Sequence, residues 1–173
     1  SNVKQISLGV LMYADDYDGG LPPFGGNDGP TFAKLLMPYV KNVQIFKCPS
    51  HDSTAPAPLS YAANATSYKA YGRAPWGYGP YVEKMTVIEA PAECALIFEE
   101  YQGTSVDSLG DGWGHSGQRY PPRVMETSHN DGSNLGFADG HAKWARPNQT
   151  ISPDAVFNGS TIGWNPENYD ANL

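Results

Sequence analysis

Residues 128–146 read SHNDGSNLGFADGHAKWAR, and this stretch predicts a β-hairpin. Residues 133–138 and 141–145 form two strand-like runs, with Asp139 and Gly140 between them. An Asp-Gly pair in that position favours a two-residue type I′ turn, in which both central residues have positive φ. We therefore expect the role of Asp139 and Gly140 to be the conformation of this turn.

The two strands of this hairpin alternate in polarity. The predicted apolar face of the outgoing strand comprises Leu135 and Phe137, and that of the returning strand comprises Ala142 and Trp144. Because successive strand residues point to opposite faces, a two-residue turn would let these side chains match across the hairpin. A second Asp-Gly pair, Asp131-Gly132, is expected to turn the chain into the hairpin from His129.

Composition limits the classes of protein to which the chain can belong. Its 173 residues are enough for one domain with a substantial core, and we expect a single domain over residues 1–173. The net charge is −7, and the sequence contains no run of Lys or Arg. Binding to nucleic acid is therefore not expected, because no basic cluster is present to displace counterions from phosphates.

Hydrophobic spacing predicts a first helix over Val3–Tyr17, which the Asp18-Gly19 pair and the following glycine would end. The apolar run Cys94–Glu100 predicts the central strand of a sheet, with another strand near Ser60–Ala63.

Three further elements are predicted with less pattern to support them. Residues 31–37 form a short helix that Pro38 would stop, and residues 86–89 and 123–127 form short strands. No periodicity marks residues 147–173, which are expected to form a C-terminal tail.

The two cysteines allow two interpretations. If Cys48 and Cys94 pair, the disulfide closes a long loop and contributes about 4 kcal/mol in the chain-entropy model. The alternative is two separate buried thiols. Neither cysteine lies in a CxxC motif, so the cysteine pattern alone does not predict a zinc site.

Four segments, taken in order, resemble a known family. They are SNVKQISLGVLMYADDYDG (1–19), LLMPYVKNVQIFKCPS (35–50), SYAAN (60–64), and the hairpin with its upstream histidine. His129 is followed by nine residues and then Asp139-Gly140. In this respect the chain resembles prepilin-type proteins with the H-X9-DG processing-associated domain, relatives of the major pseudopilins of type II secretion. The resemblance covers roughly residues 1–146.

The resemblance implies an α+β, pilin-like fold: an N-terminal helix packed on a small antiparallel sheet with long loops. Residues 1–18 would be the soluble end of a longer helix whose upstream part anchors the protein in the inner membrane. The expected function is that of a structural subunit of a type II secretion or type IV pilus-like assembly, with other subunits and secretion components as partners. The soluble domain would then be periplasmic or extracellular, where a disulfide is permitted.

The resemblance also bears on the cysteines and on the sequence before Ser1. Family members often have a cysteine just upstream of this point, which would compete with Cys94 as the partner of Cys48. The full gene is expected to encode a leader and about 20 apolar residues continuous with the first helix.

His129 could act in either of two ways. With Asp139 or His141 it could form a metal or acid–base pair, provided that the loop brings them together. The interpretation that we favour is structural, with His129 hydrogen-bonded near the hairpin.

Calcium is the one cofactor that the sequence suggests. Residues 106–112 (VDSLGDG) loosely resemble the calcium loop of major pseudopilins, which makes Asp107 and Asp111 the candidate ligands. They lie upstream of the hairpin, whereas the calcium loop of that family lies near the C-terminus.

No enzyme motif is present, so no catalytic role is expected. The adjacent residues Glu99 and Glu100 would point to opposite faces of a strand and cannot form a catalytic pair. The alternative function is a membrane-anchored carbohydrate- or ligand-binding module on the same scaffold. Its binding residues would be aromatic side chains in loops: Tyr68, Tyr71, Trp76, Tyr78, Tyr81 and Trp113.

Overall fold

The computed structural model describes residues 1–22, 32–50, 59–63, 84–88, 90–99 and 129–146. Within these ranges the fold is α+β, as predicted. Its helices are α1 (Asn2–Asp16) and α2 (Phe32–Val40), with short 3₁₀ turns at Val43–Phe46 and Met85–Val87. Its strands are β1 (Tyr61–Ala63), β2 (Ala95–Glu99), β3 (Ser133–Phe137) and β4 (Ala142–Ala145).

Helix α1 confirms the predicted first helix to within one residue at each end. Its inner face is buried and comprises Val3, Ile6, Val10 and Tyr13 together with the small residues Ser7, Gly9 and Ala14. The helix ends where Asp18 and Gly19 adopt positive φ, at 53° and 76°. The Gly19 N–H donates to the Ala14 carbonyl at 2.8 Å, which closes the last turn.

Two of the smaller elements differ from the predictions. Helix α2 does not stop at Pro38 but continues through it, and the Lys41 N–H donates to the Met37 carbonyl at 2.9 Å. The fixed φ of proline is compatible with a helix, so near the end of α2 it does not terminate the helix. Residues 85–87 form a 3₁₀ turn where a strand was expected.

The four strands form an antiparallel sheet in the order β1-β2-β3-β4. Strand β2 is an inner strand, and all five of its residues are buried, which confirms its predicted central position. The predicted strand at residues 123–127 and the tail at 147–173 lie outside the described residues.

Strand β2 contains a β-bulge. Ala95 pairs with Phe137 and Ile97 pairs with Gly136, which is the residue next to Phe137 in β3. Leu96 is therefore an extra residue in β2. Leu96 and Ile97 consequently both join the core cluster that contains the buried face of α1. Ala95 and Phe98 contribute to a second cluster, with Leu135, Phe137 and Ala145.

Helix α1 approaches the sheet most closely at Gly136 in β3. A Cβ atom built on Gly136 would overlap the hydroxyl of Ser7 and lie 2.8 Å from Cγ1 of Val3. Glycine is therefore needed here so that the helix and the strand can touch. The Ser7 hydroxyl donates to the Val3 carbonyl at 3.0 Å, which satisfies this buried polar group within the helix.

The β3–β4 hairpin exists as predicted, but its connection is one residue longer. Phe137 N–H donates to the His141 carbonyl, and Gly140 N–H donates to the Phe137 carbonyl, both at 2.9 Å. The loop is therefore residues 138–140, with Gly140 at φ 87° and Asp139 not at positive φ. A three-residue loop with a left-handed glycine is a common hairpin connection.

This longer loop shifts the register by one residue and changes which side chains share a face. Leu135 pairs with Lys143, whereas Trp144 pairs with Asn134. The prediction that Trp144 lies on the same face as Leu135 and Phe137 is therefore wrong, because a slip of one residue reverses the face of every side chain.

The pair of positive φ angles expected at Asp139-Gly140 occurs instead before the hairpin. Asn130 and Asp131 have φ values of 58° and 60°. Asn and Asp tolerate this conformation better than most residues do. The reversal predicted near Asp131-Gly132 thus exists, with its two left-handed residues one position earlier.

Replacing Gly140 with Val should destabilise the protein by about 1–3 kcal/mol, because a β-branched residue is strained at positive φ. Its Cβ would also lie 2.9 Å from Cδ1 of Leu11. Gly19→Val is a matched control, since Gly19 has φ 76° and no atom within 4 Å of a built Cβ. Urea unfolding should show a larger loss for Gly140→Val than for Gly19→Val. A Gly140→Val protein as stable as the wild type would contradict this account of the turn.

Candidate functional site

Three polar side chains from distant parts of the chain converge at one end of the sheet: Cys48, Glu99 and His129. One ligand-type atom of each lies within 4.8 Å of those of the other two. His129 Nε2 is 2.9 Å from Glu99 Oε1 and 3.2 Å from Cys48 Sγ. This is the only group of three or more such side chains among the described residues.

Cys48 is positioned by the segment that follows the first 3₁₀ turn. The Ser60 N–H donates to the Phe46 carbonyl at 2.9 Å, which ties this segment to the start of β1. The Asn2 side chain donates to the Lys47 carbonyl at 3.0 Å, which ties it to the start of α1. The side chain of Cys48 is consequently fixed and buried between the helix and the sheet.

Glu99 is the last residue of β2, and its carboxylate is buried with 2% of the side chain exposed. The Asn134 backbone N–H donates to Oε2 at 2.6 Å, and the Asn134 amide donates to the same oxygen at 3.1 Å. A buried carboxylate is costly unless it is hydrogen-bonded and paired with a charge. Strand β3 provides the hydrogen bonds, and the ring of His129 is the neighbouring cation when it is protonated.

His129 lies at the reversal that leads into β3. Its carbonyl accepts a hydrogen bond of 2.7 Å from Trp144 Nε1, so the hairpin holds the His129 backbone. The ring of Trp144 also lies over Gly132, where a built Cβ would overlap its six-membered ring. The His129 side chain is 27% exposed, so the cluster reaches solvent on this side.

Burial favours a neutral thiol at Cys48. Burial is the main cause that raises the pKa of Cys48, and the nearby Glu99 carboxylate raises this pKa further. In this state the thiol donates to Glu99, and His129 Nε2 lies 2.9 Å from Glu99 Oε1 and 3.2 Å from Cys48 Sγ. A nucleophile–base–carboxylate chain is arranged differently, since its nucleophile and carboxylate contact different ring nitrogens. Here both groups face Nε2.

The alternative that was not favoured, a pair of His129 with Asp139 or His141, does not form. Asp139 instead contacts His141, with Oδ1 2.6 Å from Nδ1 and 3.0 Å from the His141 backbone N. Burial alone would raise the pKa of Asp139, but these hydrogen bonds lower it below its usual value. This pair lies at the tip of the hairpin, whereas His129 lies beyond the opposite end of β3, roughly 16 Å away along the strand.

The structure also contradicts a disulfide between Cys48 and Cys94, because both are buried free thiols. Cys48 contacts the cluster that contains Glu99, while Cys94 lies five residues earlier along the same extended segment. The alternative of two separate thiols describes this structure.

Several predicted sites lie outside the described residues. They are the calcium candidates Asp107 and Asp111 and the loop aromatics Tyr68, Tyr71, Trp76, Tyr78, Tyr81 and Trp113. The predictions made for these residues remain predictions.

Glu99 is the site residue that the sequence interpretation missed. As one of two adjacent carboxylates that point to opposite faces of a strand, it matches no catalytic pattern. A usable signal was present, since Glu99 ends the most apolar run in the chain, where all five strand residues are buried. A glutamate in such a position needs polar partners from neighbouring strands.

Comparison of the chain with known families, characterised proteins and solved structures finds no match in any of the three. Across the described part of the chain, no helix combines the length and the apolar character that a membrane crossing requires.

Proposed function

We propose that the protein is a structural subunit of a type II secretion or type IV pilus-like assembly, with a pilin-like fold. The observation that carries this proposal is the position of α1. Helix α1 packs one face on the antiparallel sheet and on α2, while its opposite face remains exposed. This is the arrangement expected for a subunit whose first helix joins the body to a filament.

Two partly exposed apolar side chains lie one turn apart on α1, and the first of them, Leu8, also borders Gly140 of the hairpin. Leu8 is 44% exposed and Met12 is 51% exposed, which makes them two of the large hydrophobic residues exposed on the described surface. Residues at i and i+4 lie above one another on a helix, so the two side chains form one short apolar strip. A strip of this kind can pack against the helix of a neighbouring subunit.

The partners that we propose are other pilin or pseudopilin subunits and components of the secretion system. The protein would be held in the inner membrane by a helix upstream of Ser1, with the body outside the cytoplasm. Location and anchoring are supported by the resemblance of the sequence segments described above.

The test is the assembly of the full-length protein in its own host. Met12→Glu should reduce recovery of the protein in sheared filaments or high-molecular-mass complexes at least tenfold, because a carboxylate would be buried between helices. Its melting temperature should stay near that of the wild type, since Met12 is half exposed.

Lys143→Glu is the matched control, because Lys143 is exposed on β4 and the change also adds negative charge. It should assemble normally. Assembly of Met12→Glu at wild-type levels would count against α1 as the contact surface. A membrane-extracted wild-type protein that is monomeric, in cells where the secretion system is active, would overturn the proposed function.

A further inference from the structure

We propose that Cys48, Glu99 and His129 form a binding site for one divalent transition-metal ion of the Zn²⁺ type. This inference does not depend on the proposed function, because it rests only on the convergence of three side chains. It also differs from the predicted calcium site, whose candidate ligands lie elsewhere in the chain.

The donor atoms are already close to the spacing that a tetrahedral zinc ion imposes. With zinc bonds of about 2.3 Å to sulfur and about 2.0–2.1 Å to nitrogen and oxygen, N···S is about 3.6 Å and N···O about 3.4 Å. The observed separations are 3.2 Å from Nε2 to Cys48 Sγ and 2.9 Å from Nε2 to Glu99 Oε1. These two separations need to grow by only about 0.5 Å or less to admit the ion, and the third pair, Cys48 and Glu99, lies within 4.8 Å.

The donor set identifies the class of metal. Thiolate, imidazole and carboxylate together favour Zn²⁺ and its neighbours among the transition metals. Calcium and magnesium prefer oxygen ligands alone, and the thiol of Cys48 makes this a poor site for either. Three protein ligands leave a fourth position for water, and the partly exposed ring of His129 places that position near solvent.

Neighbouring groups hold the ligands in place. The backbone and side-chain N–H groups of Asn134 donate to Glu99 Oε2, and the same side-chain amide lies 3.3 Å from Oε1, the oxygen that faces His129. The hydroxyl of Tyr61 also hydrogen-bonds Cys48, although burial, the largest cause, keeps the pKa of this thiol raised. Outer groups that orient the ligands in this way are a general feature of metal sites.

Metal binding at this site is a ligand exchange without redox chemistry. The Cys48 S–H bond breaks, its proton passes to solvent, and the sulfur lone pair forms the bond to the metal. In the Nε2–H tautomer the ring proton passes through solvent to Nδ1, so that the Nε2 lone pair of His129 forms the second bond, and Glu99 provides an oxygen. Because protons are displaced, binding should release protons and strengthen as the pH rises.

The experiment is titration of the folded, reduced protein with Co²⁺, which reports tetrahedral thiolate coordination by its absorption. We expect one Co²⁺ per chain with a sulfur-to-cobalt charge-transfer band, and displacement of Co²⁺ by Zn²⁺. Cys48→Ser should lose the charge-transfer band, and His129→Ala should weaken binding at least tenfold. Cys94→Ser and His141→Gln are the matched controls and should bind as the wild type does.

Thermal melts report the stability of each variant without metal and, separately, the shift that the metal causes. Zn²⁺ should raise the melting temperature of the wild type and of Cys94→Ser, and EDTA should reverse the shift. His129→Ala should melt lower than the wild type without metal and show no shift with Zn²⁺. If the wild type shows neither the cobalt thiolate band nor a Zn²⁺-dependent shift in melting temperature, the cluster is a hydrogen-bonded structural contact and not a metal site. Loss of the band in Cys94→Ser but not in Cys48→Ser would place the metal elsewhere.

Discussion

Gly136→Val should be among the most destabilising single substitutions in the described part of the protein, with a loss of about 3 kcal/mol or more. The added side chain would occupy the space now filled by the Ser7 hydroxyl and a Val3 methyl group. Strand and helix would have to separate, which would open the main core cluster. For a chain of this size, the melting temperature should fall by roughly 6–12 °C.

A double-mutant cycle tests whether the close contact with α1 is the cause. Gly136→Ala alone should cost less than Gly136→Val, and adding Ser7→Gly should recover part of the loss because it removes the overlapping hydroxyl. Calorimetry of the four proteins measures the coupling directly. Independent, additive effects of the two substitutions would show that the helix does not constrain Gly136.

Alkaline pH should destabilise the protein through Cys94. Burial raises the pKa of Cys94 from 9.0 to about 12. Between these two values the unfolded chain has lost the thiol proton while the folded chain keeps it, so stability falls as the pH rises. The slope for one such group is about 1.4 kcal/mol per pH unit, and the full effect is about 4 kcal/mol. Below pH 9 the contribution is complete and does not vary.

Urea unfolding of wild type and Cys94→Ala between pH 8 and 10.5 measures this effect. The variant should be less stable at pH 8 because of the lost packing, but its stability should decline less steeply above pH 9. This pH range spans the pKa of the thiol in the unfolded chain. Parallel curves for the two proteins would mean that Cys94 ionises equally in the folded and unfolded states.

The elements that could be predicted from the sequence are those with strong local patterns. Helix α1 follows from apolar spacing and from the Asp18-Gly19 stop, and β2 follows from the apolar run that starts at Cys94. The hairpin follows from Asp139-Gly140. These features depend on residues close together in the chain, so a pattern of local residues is sufficient to identify them.

The predictions that failed depend on information that local patterns do not contain. A two-residue and a three-residue loop are both compatible with Asp-Gly, and the choice between them determined whether Trp144 faced Leu135 or paired with Asn134. The candidate site combines Cys48, Glu99 and His129 through tertiary contacts, two of them 81 residues apart. Strand order and helix position had to be known before these residues could be placed together.

The contacts between α1 and the hairpin have a mechanical consequence. Val3 and Ser7 meet Gly136, while Leu8 and Leu11 meet Gly140 farther along the hairpin, so α1 runs roughly lengthwise with β3. From Val3 to Leu11 the helix rises about 12 Å. A force that pulls on α1 along its axis would therefore load all of these contacts in shear, so that they resist together and do not yield one after another. The helix and the hairpin should therefore move as one rigid body when α1 is under tension.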